Sequence, residues 1–246
     1  MSVRSTLSGA AALVLAALAF TAPAQAAPAP QEAPAPPADA VQPFIIDGRE
    51  VDSAPWAARL FIDGQENCSA SIIAPEWVLT AEHCVAGGEV SFNVGDVDQT
   101  QGEHVTQVPG GVHTHPSADL ALVNIDRAVD TEYAPLGSVG DVAVGDTVQT
   151  YGWGATCTDR PEIQCQSQIL KVADVQVTDI GCSDYRGGTA VCASRGDGIP
   201  AGGDSGGPMF SGGVQVGVAS TSDRATRTAY TNITEYRDWI SSLAGV

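Results

Sequence analysis

The sequence predicts an all-β protein, a sandwich or a barrel, ending in a single helix. Short runs rich in Val, Ile and Thr recur along the chain: AARLFI at 57–62, SIIAPEWVLT at 71–80, VSFNV at 90–94, DLALVNI at 119–125, TVQTYGW at 147–153, KVADVQV at 171–177, VQVGVAS at 214–220 and TAYTNI at 228–233. Their partial apolar–polar alternation, and the Gly, Asp and Asn residues that separate them, are signals of strands and turns. Helical spacing is confined to 234–244, TEYRDWISSLA, where Tyr236, Ile240 and Leu243 share a face behind Thr234 as a cap.

The chain begins differently. Residues 1–26 pass from a basic end at Arg4 through the apolar run AALVLAALAF to the small triplet AQA, the pattern of a secretory signal peptide cut between Ala26 and Ala27. That run is too short for a membrane helix, which needs roughly 20 apolar residues, and no later stretch approaches that length. A soluble, secreted, extracellular protein without membrane partners is expected. Segment 27–43, APAPQEAPAPPADAVQP, has a proline density that favours extended polyproline and reads as a linker or pro-segment. Patterned sequence starts at Phe44–Ile45, and the 246 residues hold no fixed-period repeat and no second linker.

Twenty-nine acids against 11 bases give a net charge of −18, which argues against nucleic acid or an anionic membrane as a partner. An acidic face for solubility, or for recruiting basic substrates, remains open. Six cysteines, all beyond residue 67, fit an oxidising destination and up to three disulfides. Six cysteines can pair in 15 ways, and no C-x-x-C spacing suggests zinc or a redox motif.

The stretch AGGDSGGPMF at 201–210 carries Ser205 among glycines, either a turn or a nucleophile. A serine nucleophile needs a base, and the histidines are His83, His104, His113 and His115. His83, in VLTAEHC, ends a strand-like run and precedes Cys84. The base in turn needs a buried carboxylate on its other nitrogen, and Asp119 heads the apolar run DLALVNI, where an unpaired charge is costly. The G-x-S-x-G pattern at 203–207 also suits the nucleophile elbow of α/β-hydrolases, but that fold needs a histidine after the serine, and none follows His115.

The order His83, Asp119, Ser205, with LTAEHC, DLALV and GDSGGP around the three residues, resembles the chymotrypsin/trypsin-like serine proteases. IIDG at 45–48, PW at 55–56 and YGWG at 151–154 extend the resemblance over nearly all of 45–246. It implies two six-stranded antiparallel Greek-key barrels with a C-terminal helix, and a serine endopeptidase. Its site would comprise His83, Asp119 and Ser205, with the amides of Gly203 and Ser205 as the oxyanion hole. It further implies that 27–44 is an activation peptide, removed so that the amine of Ile45 pairs with Asp204. Phe44 stands where the family has Arg or Lys, which counts against a trypsin-like activator, and Asp47 replaces a usual glycine. The disulfides implied are Cys68–Cys84 and Cys182–Cys192, which leaves Cys157 with Cys165.

By the same resemblance the specificity pocket is formed by Ile199, six residues before the serine, with Ser220, Ser222 and Thr228 on the facing strand. An apolar to weakly polar pocket follows, unless Asp197 or Asp223 reaches it and restores preference for basic side chains. Ala201 stands where the family usually has a cysteine. No cofactor and no metal are expected. Asp96, Asp98 and Glu103 match a calcium loop poorly, and His104, His113 and His115 read as solvated. Asn67 and Asn232 fit the N-x-[ST] glycosylation pattern. Expected partners are protein or peptide substrates and protein protease inhibitors, met by a monomer. The alternative is a non-catalytic relative kept as a binding or regulatory module.

Overall fold

A computed structural model describes residues 45–246; the leader at 1–26 and the segment 27–44 lie outside the described residues. In chain order the strands are β1 (Arg49–Glu50), β2 (Ala57–Ile62), β3 (Gln65–Ala74), β4 (Trp77–Thr80), β5 (Val90–Val94), β6 (Glu103–Thr114), β7 (Ala121–Ile125), β8 (Thr147–Gly152), β9 (Lys171–Ser183), β10 (Thr189–Arg195), β11 (Pro208–Ser211), β12 (Val214–Ser222) and β13 (Arg227–Asn232). The chain ends in α1 (Arg237–Ala244).

The strands form two closed antiparallel barrels. The first runs β2-β3-β4-β7-β6-β5 and closes through β2–β5. The second runs β9-β10-β13-β12-β11-β8 and closes through β8–β9, with β1 added to β9 at Arg49–Val172. Closure leaves no long unpaired edge. Each barrel is filled by inward side chains: Leu60, Ile72, Phe92, Leu120 and Leu122 in the first, Val177, Val191, Met209, Val216 and Tyr230 in the second. Truncating one such residue to alanine typically costs about 2–5 kcal/mol. Trp153 is buried beside Leu170 and Ala57, and its indole N–H donates to the Val97 carbonyl at 2.8 Å.

Eight runs that carry the strand signal in the sequence lie in β2, β3–β4, β5, β7, β8, β9, β12 and β13. The signal is missing from β6, where Pro109-Gly110-Gly111 interrupts the run; the strand there bulges between Gln107 and Val112. It is also weak in β10 and the four-residue β11. The helix starts later than its spacing suggests. A 3-10 turn covers Ile233–Tyr236, and Asn232, not Thr234, is the cap, accepting the Thr234 N–H at 3.3 Å.

No helix among the described residues is long and apolar enough to cross a membrane. Disulfides join Cys68–Cys84, Cys157–Cys165 and Cys182–Cys192, the pairing set out above. The first closes a separation of 16 residues behind His83, a constraint worth about 3 kcal/mol in the chain-entropy model.

Candidate active site

The barrels supply different parts of one cleft of about 370 Å³, lined by His83 and Ser205 with Tyr185, Ala201, Ser220 and Thr228 among others. His83 lies in the 3-10 turn Glu82–Cys84 that ends β4, and Asp119 lies two residues before β7. Because β4 and β7 are paired with Thr80 opposite Ala121, these two ends emerge side by side. Ser205 comes from the second barrel, in the turn before β11. Its own carbonyl accepts the Ser69 N–H of β3 at 2.8 Å, tying the Ser205 loop to the first barrel.

Asp119 is fully buried. One carboxylate oxygen sits 2.8 Å from His83 Nδ1, and the other accepts the His83 backbone N–H at 3.1 Å. Ser220 donates its hydroxyl to the first oxygen at 2.6 Å. Burial pushes the Asp119 pKa up, but the bonds from His83 and Ser220 together outweigh it and hold the acid below its usual range. An ionised carboxylate only accepts hydrogen bonds, so the proton of the neutral ring lies on Nδ1 and Nε2 is free to act as base. Ser205 shares the cleft with His83 without a direct hydrogen bond to it. Such contacts are often long before substrate binds.

Gly203 has φ +100°, and a side chain there would run into Gln166, so the position requires glycine on two counts. Among the described residues no acceptor takes the N–H of Gly203 or of Ser205, which leaves two unused amide donors in the loop that carries Ser205. Asp204, between them, is buried, and its carboxylate accepts the N–H of Gly154 at 2.7 Å and of Ala201 at 2.8 Å. A side chain at either glycine of YGWG would collide with this carboxylate. Burial, offset by those two amides and by Arg59, pushes the Asp204 pKa up to about 6.

Ile45 is buried, and Ile46 forms an antiparallel bridge with Ile199, whose N–H bonds the Ile46 carbonyl at 3.0 Å. Asp47 has φ +72°, the left-handed region that explains glycine as the family norm, and its carboxylate pairs with Arg195.

The residues expected to form the pocket are placed unevenly. Ile199 is fully buried against Ile46 and does not line the cleft; Pro200, Ala201 and Gly202 form that wall instead. Ser222 and Thr228 do line it, with hydroxyls spent on the carbonyls of Pro200 at 2.6 Å and Thr221 at 3.0 Å. The Ser220 hydroxyl turns to Asp119 rather than outward. Asp197 pairs with Arg49, and Asp223 caps its own turn through Ala225, Thr226 and Arg227; neither lines the cleft. Arg224 does, held by Glu162 from the Cys157–Cys165 loop.

Several supporting residues carry no motif. Asp184 accepts the Asp119 N–H at 2.9 Å and the Thr231 hydroxyl at 3.0 Å, fixing the acid's backbone. Glu82 pairs with Arg186 at 2.7 Å beside the His83 turn. The remaining imidazoles sit apart: His104 on Asn93, His113 against Trp77, and His115 against Tyr236 and Trp239. Asp98 is occupied by Thr100 and Gln168, and Glu103 by Arg127.

Residues 45–240 match the model of the trypsin family. Brachyurin of Leptuca pugilator is 30% identical over 237 residues, covering 82% of this chain and 99% of the relative. Trypsin delta of Drosophila melanogaster is 26% identical, covering 81% of this chain and 90% of its own. Among solved structures, HL collagenase superposes with a TM-score of 0.68 at 25% identity, over 82% of this chain and 99% of that one. Neuropsin, a serine protease of mouse brain, gives 0.69 at 24% identity over 80% and 98%, a likeness of fold.

Proposed function

Because the chain belongs to the trypsin family and is a serine endopeptidase, we propose that His83, Asp119 and Ser205 carry its cleavage of protein substrates. The observation that supports this most is the buried Asp119 carboxylate 2.8 Å from His83 Nδ1, in a cleft shared with Ser205. Ser205 Oγ attacks the peptide carbonyl as His83 Nε2 takes its proton, and Asp119 steadies the imidazolium. The oxyanion of the tetrahedral intermediate meets the amides of Gly203 and Ser205, each such donor being worth about 2.7–4 kcal/mol. His83 then protonates the departing amine, leaving an acyl-enzyme on Ser205. Water, deprotonated by the same imidazole, releases the acid product.

The chain is exported through its leader and made as a precursor, and a cut between Phe44 and Ile45 frees an amine that pairs with Asp204. Two features support this: Ile45–Ile46 already lies against the Ile199 loop, and Asp204 is a buried acid held only by amides among its close contacts. The mature enzyme is a monomer open to protein inhibitors at the cleft. It prefers uncharged side chains at the cleaved position, since Asp197 and Asp223 lie elsewhere and the charged group at the mouth is Arg224.

Ser205→Ala tests the assignment. Loss of the nucleophile should lower kcat on the order of a millionfold and abolish labelling by a fluorophosphonate, with the fold unchanged. Activity within tenfold of the parent would refute it, as would activity lost while labelling persists.

A further inference from the structure

Arg59 on β2 is a fully buried cation in the first barrel. Burial pulls its pKa down to about 10, with Glu66 and Asp204 opposing, so it stays charged at neutral pH. A buried guanidinium is costly unless its donors find acceptors. Here Nη1 donates to the Gly203 carbonyl at 3.3 Å, and Nη2 to the Oε1 of Gln166. Glu66, half-exposed, lies 3.8 Å from Nη2, and Nε has no acceptor among the described residues.

The Nη1 and Nη2 hydrogen bonds both bear on the same short stretch of backbone. The Gly203 carbonyl, which also accepts the Ser69 hydroxyl at 2.9 Å, belongs to the peptide after Gly203. Gln166, oriented by Arg59 at its oxygen, donates its Nε2 to the Gly202 carbonyl at 3.3 Å, and Ala155 N–H reaches that carbonyl at 2.8 Å. The Gly202 carbonyl and the Gly203 N–H lie on one planar peptide and point in opposite directions. Holding the carbonyl inward therefore aims the N–H outward. A glycine at φ +100° has wide conformational freedom, so this peptide flips readily without such anchors.

We propose that Arg59 is a positioning residue of the oxyanion hole, clamping the peptides on both sides of Gly203, directly and through Gln166. The inference rests on the catalytic reading of Ser205 and Gly203 above. The clamp is assembled from β2 and the loop after Cys165, without the amine at Ile45. It thus acts on the same backbone as the activation ion pair and is present in the uncut chain.

The experiment uses the processed enzyme beginning at Ile45, with active sites counted by fluorophosphonate. Arg59→Met, Arg59→Lys, Gln166→Leu and Ser205→Ala are compared for kcat, KM and affinity for a peptide aldehyde, which binds Ser205 as a tetrahedral adduct. Arg59→Met should lower kcat about 30-fold, a partial loss of one oxyanion donor, with KM within about threefold. Aldehyde affinity should fall in proportion to kcat, Gln166→Leu should give a smaller loss of the same kind, and lysine should restore part of it. Unchanged kcat in Arg59→Met, or loss of kcat without loss of aldehyde affinity, overturns the clamp. If Arg59→Met does not fold, Gln166→Leu decides by the same two readouts. A Ser205→Ala protein that still cleaves overturns the catalytic reading and the clamp with it; an inert one beside a normal Arg59→Met overturns the clamp alone.

Discussion

The Ser220 hydroxyl and the His83 ring bind the same oxygen of Asp119, at 2.6 Å and 2.8 Å. The serine thus helps keep the acid ionised while the histidine uses it. Ser220→Ala removes one of the bonds that hold the Asp119 pKa down and also strips the Tyr185 N–H of its acceptor at 3.0 Å. A hydrogen bond to a charged group contributes about 1.5–3 kcal/mol. Stability to urea should drop by that order and kcat/KM by about three- to tenfold. An unchanged kcat/KM would show that the His83–Asp119 geometry needs no help from β12.

Activation can be read from two forms of the chain. A form covering 27–246, kept uncut, should be at least about 100-fold less active than one beginning at Ile45, because a buried ion pair lacking one partner typically costs about 3–5 kcal/mol. Asp204→Asn in the shorter form should reproduce most of that loss. Equal rates from the two forms, with N-terminal sequencing showing 27–246 intact, would exclude control by the cut.

The same residue should make the stability of the uncut chain sensitive to pH. The folded pKa of Asp204, about 6, lies above the unfolded value of about 3.9. The folded chain therefore binds more protons between these values. Its stability falls as pH rises through that window, and the full penalty, about 3 kcal/mol at 1.36 kcal/mol per unit, applies above pH 6. Asparagine imposes the same loss of amide contacts at every pH but removes the charge. In an inert Ser205→Ala precursor, Asp204→Asn should improve urea resistance more at pH 7.5 than at pH 4.5. Equal effects at the two pH values would mean that Asp204 has found a cation in the uncut chain.

At the substrate end, Arg224 should repel basic side chains. Cleavage after uncharged residues should exceed cleavage after Arg or Lys by more than tenfold. Arg224→Glu should narrow the ratio about three- to tenfold, a modest change because the group is half-exposed and solvent screens it. A profile led by Arg or Lys in the parent enzyme would place an acid in the pocket that this geometry does not.

The barrels, and the meeting of His83, Asp119 and Ser205 at one cleft, were legible because period-two runs and short motifs are local signals. His83, Asp119 and Ser205 each sit inside one. Strand β6 escaped because Pro109 and its glycines break the alternation, and pairing across a bulge compensates only after the sheet forms. The pocket wall was misjudged at Ile199 because a count along the chain ignores that Ile46 covers this residue. Arg59, Gln166, Asp184 and Arg224 were invisible for a related reason. The contacts that tie them to the site span from 36 to 144 residues along the chain, and nothing in the flanking sequence marks a side chain whose partners are assembled only by the tertiary fold.

That docking has a further consequence. The Gly203 carbonyl is gripped by Ser69 and Arg59, and the Ser205 carbonyl by the Ser69 N–H, all from the opposite barrel. On the catalytic reading proposed above, hydrolysis therefore depends on the two halves being seated on each other. Parting of the barrels, each still closed, would strip Gly203 and Ser205 of these anchors before any strand is lost, so activity should fade on warming ahead of the β-structure.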